Sequence, residues 1–425
     1  MATAIHQGLR LYYQHLAIST TLALFLSMGC IEVPQKDETG AIRIGALLPF
    51  TGEQAASGFN LERPLLMAVD VINEAGGIAG KEVVLIAEDS NAMFKEVENW
   101  DLNKEIVTAW IEKEDLQAVI GPMIPELSKR LGSAFRKAEV IHLSGTVNAH
   151  SNLEATLTCS FNFLPSFKQL GQALAARMVE DGITTAGLIY LTDDYGEKLA
   201  DQISSEFTSR DGKITDISAT QLGKLSYVPD ITNALANSPE GLVLVSYPKT
   251  GSDIVIDSMM STMKRPQWYF SPSLRVSDFI VNVPPGQLEG AVGVAPGLGD
   301  RAQVFRELYE SLWSGSPLLD GYYYYDSILA LSLAMAAAAR ENNGTPTWKA
   351  ICENMQAVSA VGLKVDWRNM AEGFKAIANG EDVDYDGLAG PLSLDDQGDL
   401  VDGWLELWRI HDNKIITDSR HELTQ

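Results

Sequence analysis

The chain has 425 residues, with 32 basic side chains against 56 acidic ones and a formal charge of −24. That balance excludes a nucleic-acid binder, which needs basic patches to meet phosphates. The length is enough for two lobes of ordinary size, and after the N-terminal region no apolar run is long enough to cross a bilayer.

Residues 1–15 carry one basic residue, Arg10, and Leu16–Met28 is mostly apolar. This run is short for a membrane span and ends in small residues, so residues 1–29 read as a secretory signal. The end of the run, Ser27-Met28-Gly29-Cys30, resembles a bacterial lipobox, in which Cys30 becomes the lipidated first residue. Leu26 lies one place early for that pattern, and Met28 stands where a small residue is usual. Residues 30–41 are polar and read as a lipidated tether.

An alternating strand, Ile42–Leu48, then enters the loop Pro49-Phe50-Thr51-Gly52. A helical segment ends in Ile72-Asn-Glu-Ala-Gly-Gly-Ile-Ala-Gly80, and the strand Glu82–Ala87 follows. This is a βαβ unit, and its first loop lies at the carboxyl end of a parallel strand, where open α/β folds bind ligands. The alternation continues with the strands Leu116–Ile120, Val140–Leu143 and Phe161–Leu164, and with helix-like Glu126–Lys137. A second set runs from Ala186–Leu191 through Asp194-Tyr195-Gly196 to Gly241–Ser246, Trp268–Phe270 and Gly290–Val294. The helices Ala302–Trp313 and Tyr322–Arg340 precede a last strand, Gly403–Ile410. Such alternation predicts an α/β fold of two Rossmann-like lobes with parallel sheets covered on both faces.

The block 42–90 resembles the start of the periplasmic ligand-binding proteins of the Leu/Ile/Val-binding type, which feed ABC importers. Val119-Ile-Gly-Pro122, Asp194-Tyr-Gly196, Tyr325-Asp326-Ser327 and Gly390…Asp395…Gly398-Asp399 extend the resemblance over residues 42–412. It implies a type I periplasmic binding fold whose lobes are joined by three hinge strands. Lobe 1 would comprise 42–163 plus 291–390, and lobe 2 would comprise 164–290 plus 391–425. Ligand would bind between the lobes and close them by hinge motion.

The same resemblance indicates where ligand contacts should fall: Phe50, Thr51 and Ser57 in the first loop, Glu126, the loop Gly145-Thr146-Val147-Asn148, and Tyr195, Tyr247 and Ser273. Three departures stand out. The serine expected after Gly-Pro falls at Pro125 or Glu126, the acid expected after Phe270-Ser-Pro272 is Ser273, and the aromatic expected near 57 is Ser57. A ligand ammonium that leaves water needs a charge partner. Glu126 or Asp278 could supply one, and a ligand without an ammonium, such as an amide or aromatic acid, is the other possibility.

No Gly-x-Ser-x-Gly elbow, His-Glu-x-x-His or Walker loop occurs, so no enzymatic activity and no cofactor or metal is expected. His142 and His150 lie near the cleft edge, where a lone histidine is usually structural. Gly297-Leu-Gly-Asp-Arg-Ala302 fits a dinucleotide fingerprint, but no parallel strand follows its helix, so a capping turn after a lobe crossing is expected. Asp382-x-Asp384-x-Asp386-Gly387 copies half of an EF-hand loop without the closing glutamate. Cys159 and Cys352 could pair in an oxidising compartment or remain buried thiols. The sequence thus predicts a lipid-anchored solute-binding protein of the cell envelope. It would capture a small polar ligand and deliver it to an ABC permease and ATPase; the alternative is a receptor that reports ligand to a regulator.

Overall fold

A computed structural model describes residues 40–423, apart from 53, 95–98, 146–158 and 261–265. Cys30 and the rest of the signal and tether therefore lie outside the described residues, as do Thr146, Val147, Asn148 and His150. No described helix is long and apolar enough to cross a membrane.

Two sheets form the cores of two lobes, the first parallel throughout and the second parallel except at one edge. The first contains β1 (Ile42–Leu48), β2 (Val83–Asp89), β3 (Ala118–Ile120), β4 (Ile141–Ser144) and β5 (Ser160–Asn162), in the order β2-β1-β3-β4-β5. All of its pairings are parallel. Its inner strands are apolar runs because helices cover both faces, leaving no solvated side to impose alternation.

The second sheet contains β6 (Thr185–Leu191), β7 (Lys213–Thr220), β8 (Gly241–Val245), β9 (Gln267–Phe270) and β10 (Val292–Pro296). A short pair, β11 (Leu363–Val365) and β12 (Val383–Tyr385), lies apart from both sheets. The strands β13 (Trp404–His411) and β14 (Lys414–Glu422) return to the second sheet, ordered β14-β13-β10-β9-β8-β6-β7. β13 is antiparallel to β10, and β14 to β13. The last strand expected from the sequence ends at Ile410. The chain instead turns at Asp412 and Asn413, both with positive φ, which suits a two-residue hairpin loop. As an edge strand, β14 is polar and mostly exposed, so it lacks the apolar signal of its neighbours.

The chain passes between the lobes three times. β5 leads into the helix Phe167–Glu180, which carries a full capping box between Ser166 and Gln169 and packs on the second lobe. The second passage comes later than predicted. β10, placed by the sequence division at the head of a lobe-1 piece, pairs with β9 and β13 in the second sheet. Its run Val-Gly-Val-Ala-Pro is fully buried there, and the chain leaves only at Gly297. The third passage also comes late: Leu400 N–H donates to the Asn162 carbonyl at 3.0 Å, so residues beyond 391 remain beside β5.

The last two passages are fastened together beside the buried helix Leu319–Glu341. Asp326 of that helix accepts the backbone N–H groups of Leu388 at 2.9 Å and Ala389 at 2.8 Å, and the Tyr385 hydroxyl at 2.8 Å. Gly387 packs so closely on the Asp326 carboxylate that a Cβ there would overlap it. Arg301 holds Asp386 and Asp366, and Lys364 holds Asp384. The Asp382–Gly387 run thus has cationic side chains as partners for two of its three aspartates. Gly297 and Gly299 hydrogen-bond Trp404 and Leu388, so the Gly-x-Gly segment is built into the lobe crossing.

Cys159 and Cys352 form a disulfide with Cα atoms 5.2 Å apart and a sequence separation of 193. It ties the start of β5 to the helix Trp348–Asn354, joining two distant pieces of the first lobe. A cross-link over that span is worth about 5 kcal/mol if its effect is loop-closure entropy in the unfolded chain.

Candidate functional site

The predicted site residues that are described follow the carboxyl ends of strands of both sheets. At the first lobe, β1 ends in Phe50 and Thr51. Asp89, at the end of β2, accepts the Phe50 N–H at 3.0 Å and the Thr51 hydroxyl at 2.8 Å. Desolvation opposes the Asp89 charge, but these bonds, with others from the Asn91 and Ala92 N–H groups, hold its pKa below the usual carboxylate range. The loop is therefore clamped by the neighbouring strand. Phe50 stacks at a tilt on Phe59 with centroids 5.0 Å apart, and Phe59 is exposed. Ser57 lies in the first turn of the helix Ala55–Glu74, half-buried.

Gly145 follows β4. Its carbonyl accepts the hydroxyl of Tyr324 at 2.9 Å, and that hydroxyl occupies the space a Cβ would need. A glycine at 145 is thus required by the close approach of the helix Leu319–Glu341. His142 is buried one strand position inward. Its Nε2 lies 3.0 Å from the Gly121 carbonyl, which can only accept, so Nε2 carries the proton and Nδ1 accepts from Ser160. Phe135 stacks on the ring at 4.5 Å. His142 is accordingly a strut between strands.

Glu126 sits in the first turn of the helix Pro125–Lys137 and is ion-paired with Arg130, which lies over the Trp100 ring at 4.4 Å. Its carboxylate already has a cation. Asp278, the other candidate for an ammonium partner, is exposed at the start of a short helix.

At the second lobe the structure brings three predicted residues together. Tyr195, Tyr247 and Ser273 follow β6, β8 and β9. The Tyr195 and Tyr247 rings stack with centroids 5.5 Å apart and 17° between planes. Ser273 Oγ donates to the Ser246 carbonyl at 2.6 Å, which uses its only proton. Tyr195 must then be the donor in its 2.9 Å bond to Ser273 Oγ, and it accepts weakly from the Ser273 N–H at 3.4 Å. The Tyr195 hydroxyl has no proton left for a ligand, so what this residue offers is the face of its ring. Desolvation raises the pKa of both tyrosines, and the negative charge of Asp193 adds to the rise at each. Asp193 also caps the helix Asp194–Ser209 by accepting the Gly196 N–H at 2.7 Å. That helix approaches the helix Pro125–Lys137 of the first lobe.

The sequence reading missed Asp89, Tyr324 and Ser246. Asp89 had a signal, an acid at a strand end beside the first loop. Tyr324 lies in a run of four tyrosines, and only tertiary packing distinguishes it from the others. Ser246 acts through its carbonyl, which any residue would provide.

Two lobes, each built on a sheet whose central strands run parallel, are joined by three passages of the chain. The chain belongs to the periplasmic binding protein family, whose model matches residues 41–380. It is similar to BasB of Halobacterium salinarum, the substrate-binding protein of a chemotactic signal transduction system. The two are 24% identical over 381 residues, covering 86% of each. Among solved structures it resembles the branched-chain amino acid transporter substrate-binding protein LivJ of Streptococcus pneumoniae in complex with isoleucine. There the TM-score is 0.69 at 16% identity, covering 91% of this chain and 100% of that one. An ABC transporter solute-binding protein of Rhodopseudomonas palustris in complex with 3,4-dihydroxybenzoic acid has a TM-score of 0.70 at 13% identity, covering 91% and 98%. At these identities the structural likeness speaks for the fold.

Proposed function

We propose that this chain is an extracytoplasmic solute-binding lipoprotein that captures a small polar ligand between its lobes and presents it to an ABC importer. The observation that carries this reading is the pair of strand-end clusters in a family member. One is the clamped loop Phe50–Thr51 with Gly145; the other is the stacked pair Tyr195–Tyr247 beside Ser273. A flat aromatic face with no free donor suits an apolar ligand body, and the backbone-rich first lobe suits the ligand's polar end. Binding needs no bond-making step, so a bound compound should be recovered chemically unchanged.

A thermal-shift screen of purified protein against amino acids, amides and aromatic acids tests the reading, because a true ligand raises Tm by mass action. Tyr195→Ala should then weaken binding of the hit by about 1–3 kcal/mol, on the scale of losing a buried aromatic contact; unchanged affinity in calorimetry would remove Tyr195 from the site. Cys30→Ala should release the protein from the membrane fraction. Continued attachment would show that another segment anchors it.

The similarity to BasB favours a second reading, in which the closed form reports ligand to a signalling receptor. Deleting the gene would abolish uptake of the ligand under the first reading, and would abolish the behavioural response with uptake intact under the second.

A further inference from the structure

A cavity of about 350 Å³ opens beside the Cys159–Cys352 disulfide, and both cysteines line it. Its other walls come from β5, from Glu353 and Gln356 in and just after the helix Trp348–Asn354, and from the turn Asp396–Gly398. Glu353, Asp396 and Gln397 are exposed, so the cavity meets solvent, whereas Cys159 and Cys352 are only 4% and 5% exposed. The disulfide thus lies behind a space that suits a small molecule.

Two features set this disulfide apart from a plain staple. The first is backbone strain. Cys159 has a φ of 48°, in the left-handed region that a residue with a side chain occupies at a cost. The bond to Cys352 holds it there, together with the His142 N–H, which donates to the Cys159 carbonyl at 3.0 Å. Opening the bond removes one of these restraints, and strained disulfides exchange more readily than relaxed ones.

The second feature is location. The Asn162 N–H donates to the Gly398 carbonyl at 2.7 Å, and a Cβ on Gly398 would sit 2.5 Å from the Ser160 carbonyl oxygen. Gln356 Nε2 donates to the Asp395 carbonyl. The cavity therefore lies where the first and third passages run side by side, and a group attached to either cysteine would press on both. Its mouth is acidic: Asp395, Asp396, Asp399 and Glu353 outweigh Lys349, which pairs with Glu353 at 3.7 Å. Such a mouth repels an anionic thiol and admits a neutral or cationic one.

We propose that Cys159–Cys352 is a thiol–disulfide exchange site, reached through this cavity by small neutral or cationic thiols. The thiolate of the small molecule attacks one Sγ. A new S–S bond forms, the Cys159–Cys352 bond breaks, and the other Sγ leaves with the electron pair and takes a proton from water. A second small thiolate then attacks the small molecule's sulfur in the mixed disulfide and expels the remaining cysteine thiolate. Two small thiols are oxidised to their disulfide as the two cysteines are reduced. The site is independent of what the cleft binds.

The test is exchange by the purified full chain at low salt without denaturant, with cysteamine as the cationic probe and mercaptoethanesulfonate as the anionic one. Samples are quenched with iodoacetamide and their masses read, and each rate is normalised to that with a small model disulfide. Cysteamine should add to the native protein at a rate proportional to its concentration. It should do so at least about tenfold faster than mercaptoethanesulfonate, the low end of electrostatic steering. The gap should close at about 1 M salt, where the Debye length is about 3 Å. Glu353→Gln combined with Asp396→Asn should narrow it at low salt with Tm unchanged, since both side chains are exposed. Exchange seen only in denaturant, or a rate that levels off with reagent concentration, would overturn the proposal and make the disulfide a structural cross-link. Equal normalised rates for the two probes would overturn the acidic entry route.

Discussion

Two aspartates six residues apart in one helix meet opposite fates. Asp326 is buried and fully engaged, accepting two backbone N–H groups and a tyrosine hydroxyl from the lobe crossing. Asp320 is only partly buried and has no hydrogen bond or ion pair among the described residues. Burial raises both pKa values, to about 7 for Asp326 and about 6 for Asp320. The difference shows that desolvation by itself does not reveal what an acid is for. A buried carboxylate surrounded by donors fixes structure, whereas a partly exposed one without protein donors is left to solvent.

The largest effect expected from this contrast is at Asp326. Asp326→Ala leaves the Leu388 and Ala389 N–H groups and the Tyr385 hydroxyl unpaired in the core, and should lower unfolding free energy by about 3–5 kcal/mol. Urea denaturation checks this, and a loss below about 1 kcal/mol would mean that water replaces the carboxylate.

The next effect is a pH dependence. The Asp326 carboxyl faces Tyr385 and the charge of Arg301, with Tyr323, Tyr325 and Asp366 around it. Its folded pKa of about 7 exceeds the unfolded value near 4, so the native state binds the extra proton. Stability from this group is complete below about pH 4 and is lost as pH rises towards 7. Asp89, Asp366 and Asp418 have the opposite sign: their folded pKa values are depressed, and their contribution is lost as pH falls below about 4. Stability should therefore be greater near pH 5 than at pH 7.5, and Asp326→Asn should flatten that slope; a wild type with no slope would refute the assignment.

Smaller still, Asp320→Asn should gain up to about 1 kcal/mol in the apo protein by removing an uncompensated charge. A clear loss would mean that the acid supports the fold. Tyr324→Phe should have a similar size but opposite direction, losing about 1 kcal/mol with the bond to the Gly145 carbonyl.

Much of the scaffold was legible because its signals are local. The strands β1, β6, β8 and β9 are apolar runs bounded by turn residues, and Gly76-Gly77 marks a helix end with positive φ at both residues. The boundary at β10 was misplaced because the run Val-Gly-Val-Ala-Pro is equally apolar whichever lobe it pairs with. The site was legible in part for a related reason. Tyr195, Tyr247 and Ser273 follow predicted strands, and strand order brings their loops together. The distinction between Asp320 and Asp326 was not legible, because each is an aspartate in an apolar helix.

The sequence by itself determined the alternation of strand and helix, the glycine-marked turns and the family, since these depend on periodicity and on residues near in the chain. Only the tertiary structure decided the pairing of Cys159 with Cys352, the late lobe crossings, the use of the Tyr195 proton and the lack of a partner for Asp320. Each of these is a meeting, or a missed meeting, of groups distant in sequence. Hydrogen bonds and charges act over a few ångströms, which only the folded chain specifies.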